Sequence, residues 1–151
     1  MKHKGNIAVL GDGAWGTALA AVLQQNGYQV KVWGRLPHEI DEINRTHENK
    51  RFLPGITLSE QILFTNDMQF ACQDADMVVL GTPSQYLRGV LEQFKPFFRR
   101  EKQIIVNISK GIELNTLLRM SELCKQILDP RYYCVLSGPS HAEEVIRKVP
   151  T

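Results

Sequence analysis

At 151 residues, 43% of them hydrophobic, the chain is long enough for one domain with a real core and too apolar to be disordered. Its 18 basic and 16 acidic residues are spread along the sequence, so the formal charge of +2 comes with no basic tail or stripe for nucleic acid. Three cysteines, an odd number without CxxC spacing, fit reduced thiols in a cytosolic protein, and no apolar run approaches the length of a membrane span.

Met1-Lys2-His3-Lys4 leads into only a short apolar run, which is not the pattern of a signal peptide. That run, Ile7-Ala8-Val9-Leu10, predicts a strand over 6–10. Gly11-Asp12-Gly13-Ala14-Trp15-Gly16 follows and opens a helical pattern expected over 15–26, stopped by Asn26-Gly27. A bare GxGxxG is a weak signal, and its bland reading is an ordinary strand-to-helix turn. Between a strand and a helix, however, each glycine has a task. Gly11 permits the tight turn, Gly13 leaves a pyrophosphate free to approach the backbone, and Gly16 lets helix and strand pack closely. The helix then offers unpaired N–H groups and the positive end of its dipole to the phosphates. Trp15 either lines that cofactor site or packs on the sheet.

A second strand is expected over 29–33. About twenty residues after the glycine turn, where NAD-binding domains place an acid for the ribose 2′-hydroxyl, this chain has Gly34 followed by Arg35. A carboxylate there would repel a 2′-phosphate, whereas a guanidinium would hold it in bidentate fashion, so NADP(H) is favoured, with NAD(H) as the alternative. A helix over 37–46 comes next, then Asn49-Lys50-Arg51-Phe52-Leu53-Pro54-Gly55 as a connecting loop inside the domain.

Strands over 62–65, 76–80, 103–108 and 132–136 and helices over 84–98, 116–128 and 141–148 complete the series. Met77-Val78-Val79-Leu80 and Ile104-Ile105-Val106-Asn107-Ile108 have the continuous apolar character of buried parallel strands. Cys134, in the last strand, is expected in the core. The fold class is α/β, a doubly wound parallel sheet of Rossmann type. In that fold Gly81-Thr82-Pro83-Ser84 forms the second wall of the cofactor crevice, with Ser84 also suited to cap the next helix. Lys110, after the fifth strand, projects from the same edge as an electrostatic partner for a substrate oxygen or phosphate, or as a solvated charge. Ser137-Gly138-Pro139-Ser140 is a further candidate for binding an anion or hydroxyl. His141 has no acid or nucleophile in register for general-base work, Glu143-Glu144 complement a helix dipole, and no cluster has metal-ligand spacing.

Four segments, GDGAWGTALA at 11–20, NKRFLPG at 49–55, SKGIE at 109–113 and SGPSHAEEV at 137–145, resemble in order and spacing the bacterial NAD(P)-dependent glycerol-3-phosphate dehydrogenases. The resemblance runs through essentially the whole chain. It implies a cytoplasmic enzyme of glycerophospholipid synthesis that reversibly reduces dihydroxyacetone phosphate to sn-glycerol 3-phosphate. Carried over by matching motif, Ala14, Trp15, Arg35 and Ala142 contact the cofactor, Lys110 touches cofactor and substrate, and Gly138 and Ser140 touch the substrate. His141 departs from the family, which often has an aromatic there. Family members are roughly twice this length, with a helical second domain that supplies the lysine acting as general acid. Residues 1–151 are thus expected to be a dinucleotide-binding domain truncated at its C-terminal end and inactive alone. A stand-alone nucleotide-binding or sensor module is the competing reading, and the assembly is left open, a homo-oligomer included.

Overall fold

The computed structural model describes residues 4–150; Thr151 and most of the Met1-Lys2-His3-Lys4 segment read above lie outside the described residues. Six strands form one all-parallel sheet: β1 (Asn6–Leu10), β2 (Gln29–Trp33), β3 (Ile62–Thr65), β4 (Met77–Leu80), β5 (Ile104–Asn107) and β6 (Tyr132–Val135). Their order across the sheet is β3-β2-β1-β4-β5-β6, so the direction of winding reverses between β1 and β4. In register, Leu10 stands beside Trp33 on one side and Leu80 on the other, and Leu80 beside Asn107. The carboxyl ends of the four strands therefore finish level.

Alternation along the strands feeds two cores, one on each face. Ala8, Leu10, Val78, Leu80 and Ile105 pack with α3 (Met68–Cys72), α4 (Ser84–Phe94) and α5 (Met120–Leu128). Ile7, Val9, Val32, Val79 and Val106 pack on the other face with α1 (Ala14–Gln25) and α2 (Pro37–Thr46). The short α6 (Ala142–Ile146) lies against α1, with Ala142 and Ala18 sharing a small cluster with Leu53.

The expected doubly wound sheet is present, with local differences, among them that Ser84, expected to cap α4, is its first residue, with Pro83 as N-cap and no side-chain cap. A helix not anticipated, α3, is started by Asp67, whose side chain accepts a hydrogen bond from the Phe70 amide. The helix expected over 84–98 ends at Phe94 and tightens into a 3-10 turn, Lys95–Phe97, where Pro96 has no N–H to continue the ladder. The helix expected from 116 starts at Met120, because residues 112–119 close into a loop instead. Its ends pair antiparallel at Ile112 and Arg119, and Leu117 takes a left-handed φ of 59°. Cys134 is exposed rather than in the core, since β6 is an edge strand and α6 packs on α1 instead of covering it.

Candidate functional site

At the carboxyl edge, between the ends of β1 and β4, two lobes of a crevice meet over the glycine turn. The backbone there is drawn very close. Gly11 has φ 129°, and a Cβ on it would stand 2.7 Å from the Gly81 carbonyl oxygen, so no side chain fits between the two turns. A Cβ on Gly16 would run into the Gly11 carbonyl oxygen, which is why Gly16 lies buried beneath the turn and lines neither lobe. Gly13 is the opposite case: a Cβ on it would meet nothing within 4 Å and would project into the crevice.

Helix α1 begins at this point. Gly13 is its N-cap residue, no side chain caps it, and no acid stands in its first turn. The first-turn N–H groups and the dipole are left for whatever occupies the crevice.

The floor is held by side chains that hydrogen-bond across strand ends. Thr82 Oγ1 donates to Leu10 O at 2.8 Å, and Ser109 Oγ donates to Leu80 O at 3.1 Å and to Thr82 O. Buried Asn49 reaches in from the 49–55 loop and donates from Nδ2 to Asp12 O at 2.7 Å and to Thr17 Oγ1 at 2.9 Å. This loop is thus fastened to the glycine turn.

One lobe, of about 380 Å3, is bounded by the glycine turn, Trp15, Pro83, Lys110 and the segment from Ser137 to Ala142. Lys110 Nζ donates to Gly138 O at 3.3 Å. The structure therefore brings Ala14, Trp15, Lys110, Gly138, Ser140 and Ala142 around one space. His141 is exposed at its rim. The other lobe, of about 320 Å3, holds Gly11, Asp12, Arg35, Arg51, Phe52 and Tyr86. Arg35 is exposed there and has no ion-pair partner among the described residues, whereas Arg51 is paired with Glu39. Arg51 and Phe52, which the sequence pattern does not mark as lining residues, come from the 49–55 loop expected to be a connector.

The loop that carries Lys110 is clamped to α4. Arg88 makes a bidentate ion pair with Glu113, both bonds 2.8 Å, and Gln85 donates to Ile112 O at 2.8 Å and accepts from Leu114 N at 3.0 Å. The Arg88 guanidinium, helped by the Thr116 hydroxyl, holds the Glu113 carboxyl down at about 2. No group of three or more potential metal-ligating His, Cys, Asp or Glu occurs among the described residues, and no described helix is long and apolar enough to cross a membrane.

Comparison with known proteins agrees with this geometry. A family model described as the N-terminus of NAD-dependent glycerol-3-phosphate dehydrogenase matches residues 6–151. The glycerol-3-phosphate dehydrogenase [NAD(P)+] of Carboxydothermus hydrogenoformans is 50% identical over 148 residues, and that of Bacillus subtilis 46%. The aligned parts take in 96% of this chain but only 44% and 43% of those proteins, so the chain spans less than half of their length. The crystal structure of glycerol-3-phosphate dehydrogenase from Coxiella burnetii superimposes with a TM-score of 0.90 at 32% identity, over 98% of this chain and 45% of that one.

Proposed function

The chain belongs to the family of NAD-dependent glycerol-3-phosphate dehydrogenases, represented here by their N-terminal part, and from that premise we propose that it binds NAD(P)(H) for the reversible reduction of dihydroxyacetone phosphate to sn-glycerol 3-phosphate. The observation that carries the reading is the two-lobed crevice. An uncapped helix N-terminus opens on it, and at Gly13 a missing side chain leaves room for a pyrophosphate. A dinucleotide has two nucleoside halves joined by such a pyrophosphate, and two lobes meeting over the glycine turn fit that shape.

In this proposal Gly11, Gly13, Ala14, Trp15, Gly16, Arg35 and Ala142 make or support the cofactor site. When bound, the nicotinamide supplies the hydride. Lys110 serves both partners: its ammonium stands in the lobe next to Gly138 and stabilises negative charge that develops on the ketone oxygen. Gly138 and Ser140, across the lobe from the glycine turn, hold the phosphorylated substrate. The proton donor belongs to the length of the relatives that this chain does not span, so residues 1–151 act as the dinucleotide-binding domain and turn over nothing alone. Arg35, with no ion-pair partner among the described residues, favours NADP(H) over NAD(H). The complete enzyme works in the cytoplasm for glycerophospholipid synthesis.

Calorimetric titration of NADPH and NADH against the chain tests the reading. Saturable binding of both, tighter for NADPH, is the expected result; a folded protein that binds neither refutes it. Reduction of dihydroxyacetone phosphate is to be measured on the chain extended to the relatives' full length.

A further inference from the structure

We propose that Asp12, from within the glycine turn, supplies the carboxylate that reads the adenosine ribose, and that Asp12 and Arg35 together set the choice between NADH and NADPH. The proposal rests on the reading of the crevice as a dinucleotide site.

Four charged side chains face the smaller lobe: Asp12, Arg35, Glu39 and Arg51. Glu39 and Arg51 pair with each other and largely cancel. Two groups of opposite sign are left unspent. Among the described residues Arg35 has no ion-pair partner, and the Asp12 carboxyl oxygens accept no side-chain hydrogen bond from another residue.

The position of Asp12 explains why β2 can end without an acid. An ideal Cβ on Gly34 would lie 2.6 Å from Asp12 Oδ2 and 2.8 Å from its carboxyl carbon. The Asp12 carboxyl, together with Ile40 Cδ1, which is also 2.6 Å from that Cβ, therefore occupies the space from which a side chain at position 34 would start. A dinucleotide-binding domain commonly uses an acid at the end of this strand as acceptor for the ribose hydroxyls. Here a carboxylate from the neighbouring turn stands beside the end of that strand, and the missing side chain of Gly34 leaves room for it.

Asp12 is also held by its backbone on both sides. The Gly11 amide donates to Trp33 O at 2.9 Å, and Asp12 O accepts from Asn49 Nδ2 at 2.7 Å and from Thr17 Oγ1 at 3.1 Å. The side chain is half-buried. Burial pushes its pKa up, with Glu39 adding to the rise, while its own amide and Arg51 pull it down. A carboxylate that has lost water and has only its own backbone amide as donor in return gains from ribose hydroxyls, which are donors. A 2′-phosphate would instead bring more negative charge beside it, and Arg35 offsets that repulsion.

Titration calorimetry with NADH and NADPH on wild type, Asp12→Asn and Arg35→Ala tests this, with circular dichroism as the check on folding. Asp12→Asn keeps the shape and removes the charge. It is expected to shift the ratio of the two dissociation constants about tenfold toward NADPH, while Arg35→Ala shifts it the opposite way. An Asp12→Asn ratio within twofold of wild type, with both dinucleotides still bound, overturns the role of Asp12 and leaves the crevice reading standing. Failure of folded wild-type protein to bind either dinucleotide overturns both.

Discussion

Gly13 and Gly16 lie three residues apart in one turn, yet the structure assigns them opposite costs, and the pair Gly13→Val and Gly16→Ala separates binding from packing. At Gly13 a side chain enters open space, so the folded state loses only the N-cap preference of glycine over valine, about 1 kcal/mol. At Gly16 a Cβ runs into the Gly11 carbonyl and also comes within 3.4 Å of Val9. The obstacle is backbone, which has no rotamer to escape into. Overpacking of this kind costs up to about 3 kcal/mol, and the helix propensity of alanine over glycine returns about 1, leaving about 2 kcal/mol net. For a domain of this size that lowers Tm by roughly 4–8 °C, against roughly 2–4 °C for Gly13→Val. Binding follows the reverse order of directness. Valine at 13 stands where the pyrophosphate must approach the α1 amides, and loss of even one charge-assisted hydrogen bond weakens affinity roughly 10- to 150-fold. Thermal unfolding by circular dichroism and NADPH titration on the same samples measure both quantities. A Gly13→Val protein that keeps wild-type affinity, or a Gly16→Ala protein as stable as wild type, refutes the division of labour.

Arg35→Ala is expected to weaken NADPH by roughly 10- to 150-fold and NADH by much less; equal losses in calorimetry would mean that the guanidinium does not meet a 2′-phosphate. In the full-length enzyme, Lys110→Met is expected to remove on the order of 2–4 kcal/mol of transition-state stabilisation, roughly 30- to 1000-fold in kcat/KM, and steady-state kinetics with near-normal values would return Lys110 to a solvated charge. The Glu113 carboxyl is held at about 2, below its ordinary 4.5, so the Arg88–Glu113 clamp stabilises the fold above the unfolded-state pKa and is lost as pH falls from about 4.5 toward 2. Glu122, likewise lowered to about 2 by Arg119, adds to the same window. Denaturant unfolding across that range should show a smaller loss of stability in Glu113→Gln than in wild type, and superimposable slopes would show that the clamp carries no stabilisation.

The strands were legible because both faces of a parallel sheet are buried, so β1, β4 and β5 carry continuous apolar runs between turns, while β2 alternates around Lys31. Helix α3 was not, since five residues are too few to display a period, although Asp67 as N-cap was a signal available in the sequence. Cys134 was misjudged on the same logic that succeeded elsewhere. An apolar strand is buried only if something covers it, and which strand falls at the edge depends on the winding order rather than on its own residues. In the crevice, the glycine turn could be read because its spacing is local. Arg51, Phe52 and Asp12 could not, because their positions depend on Asn49 crossing to the Asp12 carbonyl and on Leu53 packing against Ala18 and Ala142. That bond joins residues 37 apart in the chain, and no periodicity reports it.

The same hydrogen bonds explain where binding energy is available along this edge. Each strand end hands its turn to the next strand: Gly11 N–H to Trp33 O, Gly34 to Thr65, Gly81 to Leu10, Ile108 to Leu80 and Leu136 to Asn107. Thr82 and Ser109 use their hydroxyls on carbonyls in the same row. The floor of the crevice is therefore already paired, and a ligand gains little from it. What is unspent lies above: Asp12 and Arg35 in the smaller lobe, Lys110 in the larger with its ammonium on the Gly138 carbonyl, and between them, at the glycine turn, the first-turn amides of α1. Three of these four features gather at the glycine turn and the smaller lobe, while the outer wall at Ser137–Ser140 is exposed apart from the half-buried Ser140. The unpaired groups among the described residues thus gather around the glycine turn, a division that follows from where the backbone has and has not satisfied itself.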